Sequence, residues 1–444
     1  MNLLNNISEN KRKVLTNIFW ALSGKIINMG GALLVAILVA RYLGPEQYGL
    51  MNYVISYVAI FNILSEFGMS NIEIRELAAH PQNKEKILGT CFILRLISAS
   101  VTYLVIVITL IIFHTDWYTS MMILVYGLSL FPNVFLLIRN YFTSIVENEY
   151  IVKSEIIRTF IGVLIKIILV LSHCSLAWFI IATAFDFFLV ASGYLFSYRK
   201  IIGSPFVWVF DKSLVTYILK ESFPLVLSGA AVVIYQRIDQ VMIGNMIDQK
   251  SVAYFATAGK FTDLVLFLPA MLTQTVVPLL VAAKISSTNE RYERLKRQFI
   301  SIIVWTSVFI SFFLSIISYY LVAFTYGDQY LPAVPVLQIL AFKTIGMALS
   351  SSSGQIIIME HIQKWAVIRN VIACCVCVSL NYILIPKYGI IGSAWVTIIT
   401  VFIASYFANI FIPSYHHIMK MQTYAIFMGW RELKYVKTFI SPTK

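Results

Sequence analysis

Apolar residues run through this chain in blocks about as long as a bilayer is thick, each ended by a short polar punctuation. A helix rises 1.5 Å per residue, so about 20 apolar residues cross roughly 30 Å of hydrocarbon. Twelve stretches meet that ruler. The first six are 16–40, 47–69, 87–113, 119–145, 152–172 and 175–197. The second six are 222–246, 252–283, 298–325, 332–359, 363–385 and 389–412. The pattern predicts an all-α integral membrane protein of twelve transmembrane helices in two six-helix bundles, 1–197 and 221–412. A linker, 198–220, joins the bundles, and a basic tail, 413–444, follows them. The end of the linker, DKSLVTYILKES, reads as an interfacial helix leading into the seventh span. Pro132 predicts a kink in the fourth span. Gly30-Gly31, Pro224, Pro269, Pro278 and Ser350–Ser353 before Gly354 predict further breaks.

Composition turns this pattern into a class. Of 444 residues, 59% are hydrophobic and 12% charged. A soluble chain is about a quarter charged, so lipid is the solvent over most of this surface. The net charge is +13, and the basic charge of the loops is one-sided. Twenty-two Lys and Arg fall on the side that holds the N-terminus, and three, Arg41, Lys250 and Lys387, on the other. The positive-inside rule then places both termini in the cytoplasm. A nucleic-acid role is excluded by the lack of a soluble domain to carry it. The polar, basic start MNLLNNISENKRKVLTN leads into a long apolar run with no small-residue cleavage site, which reads as a first span and not a removed signal peptide. External connections are short, which argues against enzymes that build a pocket from a large external loop. The five cysteines and six histidines show no metal-ligand or nucleophile spacing, so no catalytic residues and no metal site are expected.

Charges inside the spans carry the candidate chemistry. The basic ones are Lys25, Arg95, Arg139, Arg158, Lys166, Arg237, Lys260, Lys343 and Arg369, and the acidic ones are Glu66, Asp186, Asp239 and Asp263. Arg139, Arg158 and Arg369 lie only about 9 Å from helix ends, within snorkelling reach. Lys25, Arg95, Arg237, Lys260 and Lys343 lie about 12 Å or more from either end, which favours a polar cavity. Arg158, Gly162 and Lys166 form a stripe at i, i+4, i+8. Arg237 and Asp239, two apart, each need a partner elsewhere, while Lys260 can pair with Asp263 one turn on. Nine cations against four acids suit a phosphate-bearing ligand and repel a cationic one. The expected substrate-binding set is Lys25, Arg95, Arg158, Lys166, Arg237, Lys260 and Lys343. Glu66, Asp239 and Asp263 are the candidates for ion coupling or for a gate.

Leu22-Ser23-Gly24 recurs as Leu227-Ser228-Gly229 at the start of the second set, which points to a parallel duplication. ARYLGPEQYG at 40–49, EFG at 66–68 and IREL at 74–77 open the chain; SFPL at 222–225, RIDQ at 237–240 and PKYGIIGSA at 386–394 follow. In these motifs the sequence resembles oligosaccharide flippases of the Wzx type, within the multidrug/oligosaccharidyl-lipid/polysaccharide (MOP) exporter superfamily. The resemblance implies two six-helix bundles around a central cationic lumen in the bacterial inner membrane. It implies a substrate, undecaprenyl-pyrophosphate-linked oligosaccharide for O-antigen or a similar polysaccharide, flipped to the periplasmic leaflet by alternating access. No cofactor is implied beyond H⁺ or Na⁺ coupling. The implied partners are membrane lipids, the O-antigen polymerase and a chain-length regulator. The alternatives are a drug/cation antiporter of the same superfamily and a membrane-embedded polysaccharide polymerase.

Overall fold

The computed structural model describes residues 9–286 and 288–435, nearly all of them helical. The first helices are α1 (Glu9–Glu66), α2 (Ser70–Ala79), α3 (Lys84–Ile112), α4 (Trp117–Gly127), α5 (Leu136–Ser144), α6 (Asn148–Leu171) and α7 (Leu176–Ile201). After a connector come α8 (Lys212–Met246), α9 (Gln249–Val265), α10 (Phe267–Ser286), α11 (Asn289–Thr325) and α12 (Ala333–Leu340). The last three are α13 (Lys343–Met359), α14 (Ala366–Ser405) and α15 (His416–Met428). The chain packs as two units, Met1–Val233 and Ile234–Lys444.

Among the described residues, nine helical stretches are long and apolar enough to cross a membrane. Two of them, Ser23–Ala79 and Gln363–Phe411, run 57 and 49 residues and each holds two passes. A further pass is α6, which is set apart by its charges Glu149, Lys153, Glu155, Arg158 and Lys166. Among the described residues the passes therefore number twelve, in agreement with the apolar blocks of the sequence. The long stretches are divided at single glycines, Gly44 in α1 (φ 71°, ψ 172°) and Gly389 in α14 (φ 59°, ψ −143°). A side chain would strain either backbone, so each connection is one residue wide.

The expected breaks fall in some places and fail in others. The fourth pass is broken around Pro132 into α4, two 3₁₀ turns and α5. The eighth is broken between α9 and α10, just before Pro269. By contrast, α8 runs unbroken through Pro224 and absorbs the expected interfacial helix as its first turns. Helix α13 also runs through Ser350–Ser353, because the hydroxyls bond back to their own helix: Ser352 to the Ala348 carbonyl at 2.7 Å, Ser353 to that of Leu349 at 2.6 Å. Nor does Gly31 bend α1. A Cβ there would lie 2.5 Å from Thr159, and one on Gly24 would lie 2.5 Å from Val152, so these glycines let α1 and α6 approach closely.

Helix α11 turns its large apolar residues outward and its small polar ones inward, as a lipid-facing helix does. On α11, Phe309, Phe312, Phe313, Ile316, Tyr320 and Phe324 are exposed, while Ser307, Ser311 and Ser318 are buried. Ser311 and Thr344 meet at 2.5 Å between α11 and α13.

The segment read as a tail is folded as far as Tyr435, and residues 436–444 lie outside the described residues. Gln422 of α15 is buried, donating to the carbonyls of Leu349 (3.3 Å) and Ser405 (3.0 Å) and accepting from Asn409 (3.0 Å). At the start of α15, His417 faces Glu360 at 2.6 Å, and Lys296 donates to the same carboxylate at 2.8 Å. Burial alone would raise Glu360, but these two partners hold it down at about 2. Its contribution is therefore full above the ordinary value of 4.5 and is lost as pH falls towards about 2. Glu360→Gln is expected to lower the melting temperature at pH 7, and the gap from wild type should close as pH drops below 4.5. A gap that stays constant with pH would rule this carboxylate out as the clamp on α15.

Candidate functional site

In the second unit, Arg237, Asp239, Asp263 and Lys343 line one cavity of about 300 Å³. Helix α8 supplies Arg237 and Asp239, α9 supplies Asp263, and Lys343 is the first residue of α13. The two charges of α8 diverge because neighbours two apart on a helix point about 200° apart. Asp263 pairs with Lys343 at 3.4 Å, not with Lys260, whose side chain is exposed on α9.

Asp239 is the centre of this site. It is 2% exposed, and no basic side chain pairs with it among the described residues. Its Oδ1 accepts from Asn381 Nδ2 at 2.5 Å and faces the Cys377 thiol at 3.6 Å. Its Oδ2 accepts from the Thr397 hydroxyl at 2.8 Å, and Ser393 in turn donates to Asn381 Oδ1 at 2.9 Å. Both arms of α14 thus converge on one carboxylate. A bare negative charge in such a place costs several kcal/mol, and neutral donors offset only part of that. The arrangement accommodates a carboxylic acid, or a small hard cation among the oxygens of Asp239, Asn381, Ser393 and Thr397.

In the first unit the interior charges pair locally. Arg95, 1% exposed, meets Glu73, also 1% exposed, at 2.6 and 3.0 Å. Ser70 accepts a further N–H of Arg95 at 3.0 Å, and Asn140 donates to Glu73 at 2.6 Å. Lys166 of α6 meets Asp186 of α7 at 2.5 Å. Arg158 belongs to a cluster around Glu155, which faces Arg139 (3.4 Å) and accepts from Asn28 (3.0 Å) and Tyr194 (3.0 Å). Within it, Arg158 donates to Asn28 at 3.5 Å, and Thr159 donates to the same oxygen. Glu66 accepts from Asn62 at 3.0 Å, and Lys25 is exposed on α1.

The structure therefore gathers Arg237, Asp239, Asp263 and Lys343, and sets Arg95, Arg158 and Lys166 in separate pairs or clusters. Glu73, which holds Arg95, and Glu155, at the centre of the cluster that includes Arg158, are absent from the sequence-based set. Asn381, Ser393 and Thr397 are too; their only signal is polar residues at i, i+4 in otherwise apolar runs.

Gly162 carries a test of the Lys166–Asp186 pair. A Cβ at Gly162 would lie 2.5 Å from Asp186 Oδ1, whereas one at Gly30 would meet nothing within 4 Å. Gly162→Ala is expected to cost about 1–3 kcal/mol through overpacking. Gly30→Ala should instead be neutral or stabilising by about 0.5–1 kcal/mol. Thermal melting of the two variants side by side checks this, and equal melting points would contradict the packing.

Known proteins align with this arrangement over most of its length. The family described as "Polysaccharide biosynthesis protein" matches residues 14–284, and the MatE family matches residues 224–383. No curated protein sequence matches. Among solved structures, an inward-facing multidrug resistance MATE family transporter of the MOP superfamily is 15% identical with a TM-score of 0.64. That similarity covers 92% of this chain and 96% of the other. The lipid II flippase MurJ in an inward closed conformation is 17% identical with a TM-score of 0.67, covering 96% of this chain and 94% of its own. A MOP superfamily transporter from Pyrococcus furiosus is 13% identical with a TM-score of 0.56, covering 95% and 96%. Twelve passes, with a charged cavity between membrane helices, give this chain the fold of the MOP superfamily transporters. Since the first match spans more than half of its residues, the chain belongs to the polysaccharide biosynthesis protein family.

Proposed function

We propose that this transporter flips undecaprenyl-pyrophosphate-linked oligosaccharide, the repeat unit of O-antigen or a similar surface polysaccharide. It acts in the bacterial inner membrane, from the cytoplasmic to the periplasmic leaflet, with both termini cytoplasmic. One observation carries the reading: a membrane-depth cavity sets two cations, Arg237 and Lys343, near a buried carboxylate that makes no ion pair among the described residues. The cations suit a pyrophosphate, which spreads charge over several oxygens that a guanidinium and an ammonium can both bind. Asp239 suits coupling to H⁺ or Na⁺, since a buried carboxylate takes up one or the other far more readily than it stays bare. Alternating access follows if ion release and substrate binding favour different conformations, as linkage requires. Family membership and the likeness to a lipid II flippase support a lipid-linked substrate. A polymerase and a chain-length regulator would then take the flipped unit onward.

The test is complementation of a flippase-deletion strain. Arg237→Ala with Lys343→Ala should lose surface glycan, and Arg237→Lys with Lys343→Arg should restore most of it. Full glycan in the double alanine variant would sink the cationic-cavity reading. Drug/cation antiport is the second reading, favoured by the MatE match over 224–383, which includes most of the cavity-lining residues. Drug resistance conferred by expression, with no effect on glycan, would establish that reading instead.

A further inference from the structure

Four basic side chains are buried among the described residues: Arg95, Lys166, Lys296 and Arg369. The first three each hold a carboxylate, at 2.6, 2.5 and 2.6 Å. Arg369 does not. It is 7% exposed, and its Nε and Nη1 have no hydrogen-bond partner. The titratable groups near enough to act on it are two phenols, Tyr235 of α8 and Tyr415 just before α15. The Tyr415 hydroxyl is already committed to the Ile362 carbonyl at 3.0 Å. The sequence reading had Arg369 snorkelling; the structure turns it inward instead.

A guanidinium cannot shed its proton, so burial without a partner has no internal remedy. We propose that Arg369 is the anchor of a binding site for a lipid-borne phosphate, in the second unit. Depth supports this. Arg369 lies one turn into α14, roughly 5 Å beyond its first residue, which is headgroup level for a lipid entering from that side. Chemistry supports it as well, since phosphate oxygens accept the several N–H groups that Arg369 leaves unused, while a chloride or a single water accepts fewer. Two lipids carry that group, the bulk anionic phospholipid and the pyrophosphate-linked lipid of the proposed function. Only the second source rests on that proposal.

The test is native mass spectrometry of the full-length protein with undecaprenyl pyrophosphate, phosphatidylglycerol or undecaprenol, using wild type, Arg369→Gln and Arg369→Lys. Phosphate-bearing adducts are expected to fall at least about tenfold in Arg369→Gln and less in Arg369→Lys, with undecaprenol unchanged; tenfold corresponds to about 1.4 kcal/mol. Equal adducts in wild type and Arg369→Gln would overturn the site. Loss confined to phosphatidylglycerol supports the site and assigns it to bulk lipid. If neither phosphate-bearing lipid responds to Arg369 while pyrophosphate-lipid binding is lost in Arg237→Ala, this site is overturned and the proposed function stands. Should Arg369→Gln fail to fold, wild type decides: a melting point raised by phosphate-bearing lipid over undecaprenol, and raised less in Arg369→Lys, supports the site. No rise in wild type removes it.

Discussion

Asp239→Asn is expected to cut glycan export at least about tenfold, the scale of a 1.4 kcal/mol loss in coupling, while membrane levels of the protein hold. The amide matches the carboxyl in shape. Its oxygen can still accept from Thr397, and its nitrogen can face Asn381 once that amide turns its oxygen round. The Ser393 hydroxyl, a free rotor, follows the change. What the amide cannot do is bind and release a proton or balance a cation. Surface glycan and membrane abundance, scored together after complementation, separate the two effects. Normal glycan would remove Asp239 from the coupling step. Loss of both glycan and protein would make the network a structural one.

Arg95→Leu is expected to destabilise the first unit by about 3–5 kcal/mol, because it leaves the Glu73 carboxylate buried without its cation, facing the Asn140 amide. Against a usual total of about 5–15 kcal/mol, that is enough to deplete the protein from the membrane. Arg95→Leu with Glu73→Leu should recover most of the loss, since two well-packed apolar side chains replace a buried ion pair at little net cost. Melting points of the single and double variants measure the recovery. Glycan export by the double variant then decides the role of Arg95. Export near wild type assigns the arginine to structure, and loss of export from a stable protein assigns it to substrate.

The twelve passes were legible because an apolar run of hydrocarbon length has one stable outcome in lipid, a helix. The breaks were half legible. Pro132 removes an N–H and so kinks its helix, but the serines of α13 satisfy themselves within it, and Gly24 and Gly31 make room for α6 instead of a bend. Interior charges were visible one by one, as every ionisable residue in an apolar run is. Their partners were not. Spacing on α9 favoured Lys260 for Asp263, yet Lys343 arrives from a helix 80 residues away. Glu155 falls at the very start of the apolar block 152–172, at its loop end, though α6 begins at Asn148 and sets it two turns inside. Asn381, Ser393 and Thr397 carried no charge to betray them, and only the convergence of α8 with both arms of α14 makes them a site.

The single-glycine connections at Gly44 and Gly389 have a consequence for what the outside world can touch. The other connections on that side, 113–116, 172–175, 247–248 and 326–332, are at most seven residues long. A protease needs an extended strand of peptide to cut, and an antibody needs a projecting epitope to grip; this face offers neither over most of its area. Spheroplasts treated with protease at that face should therefore keep the chain intact.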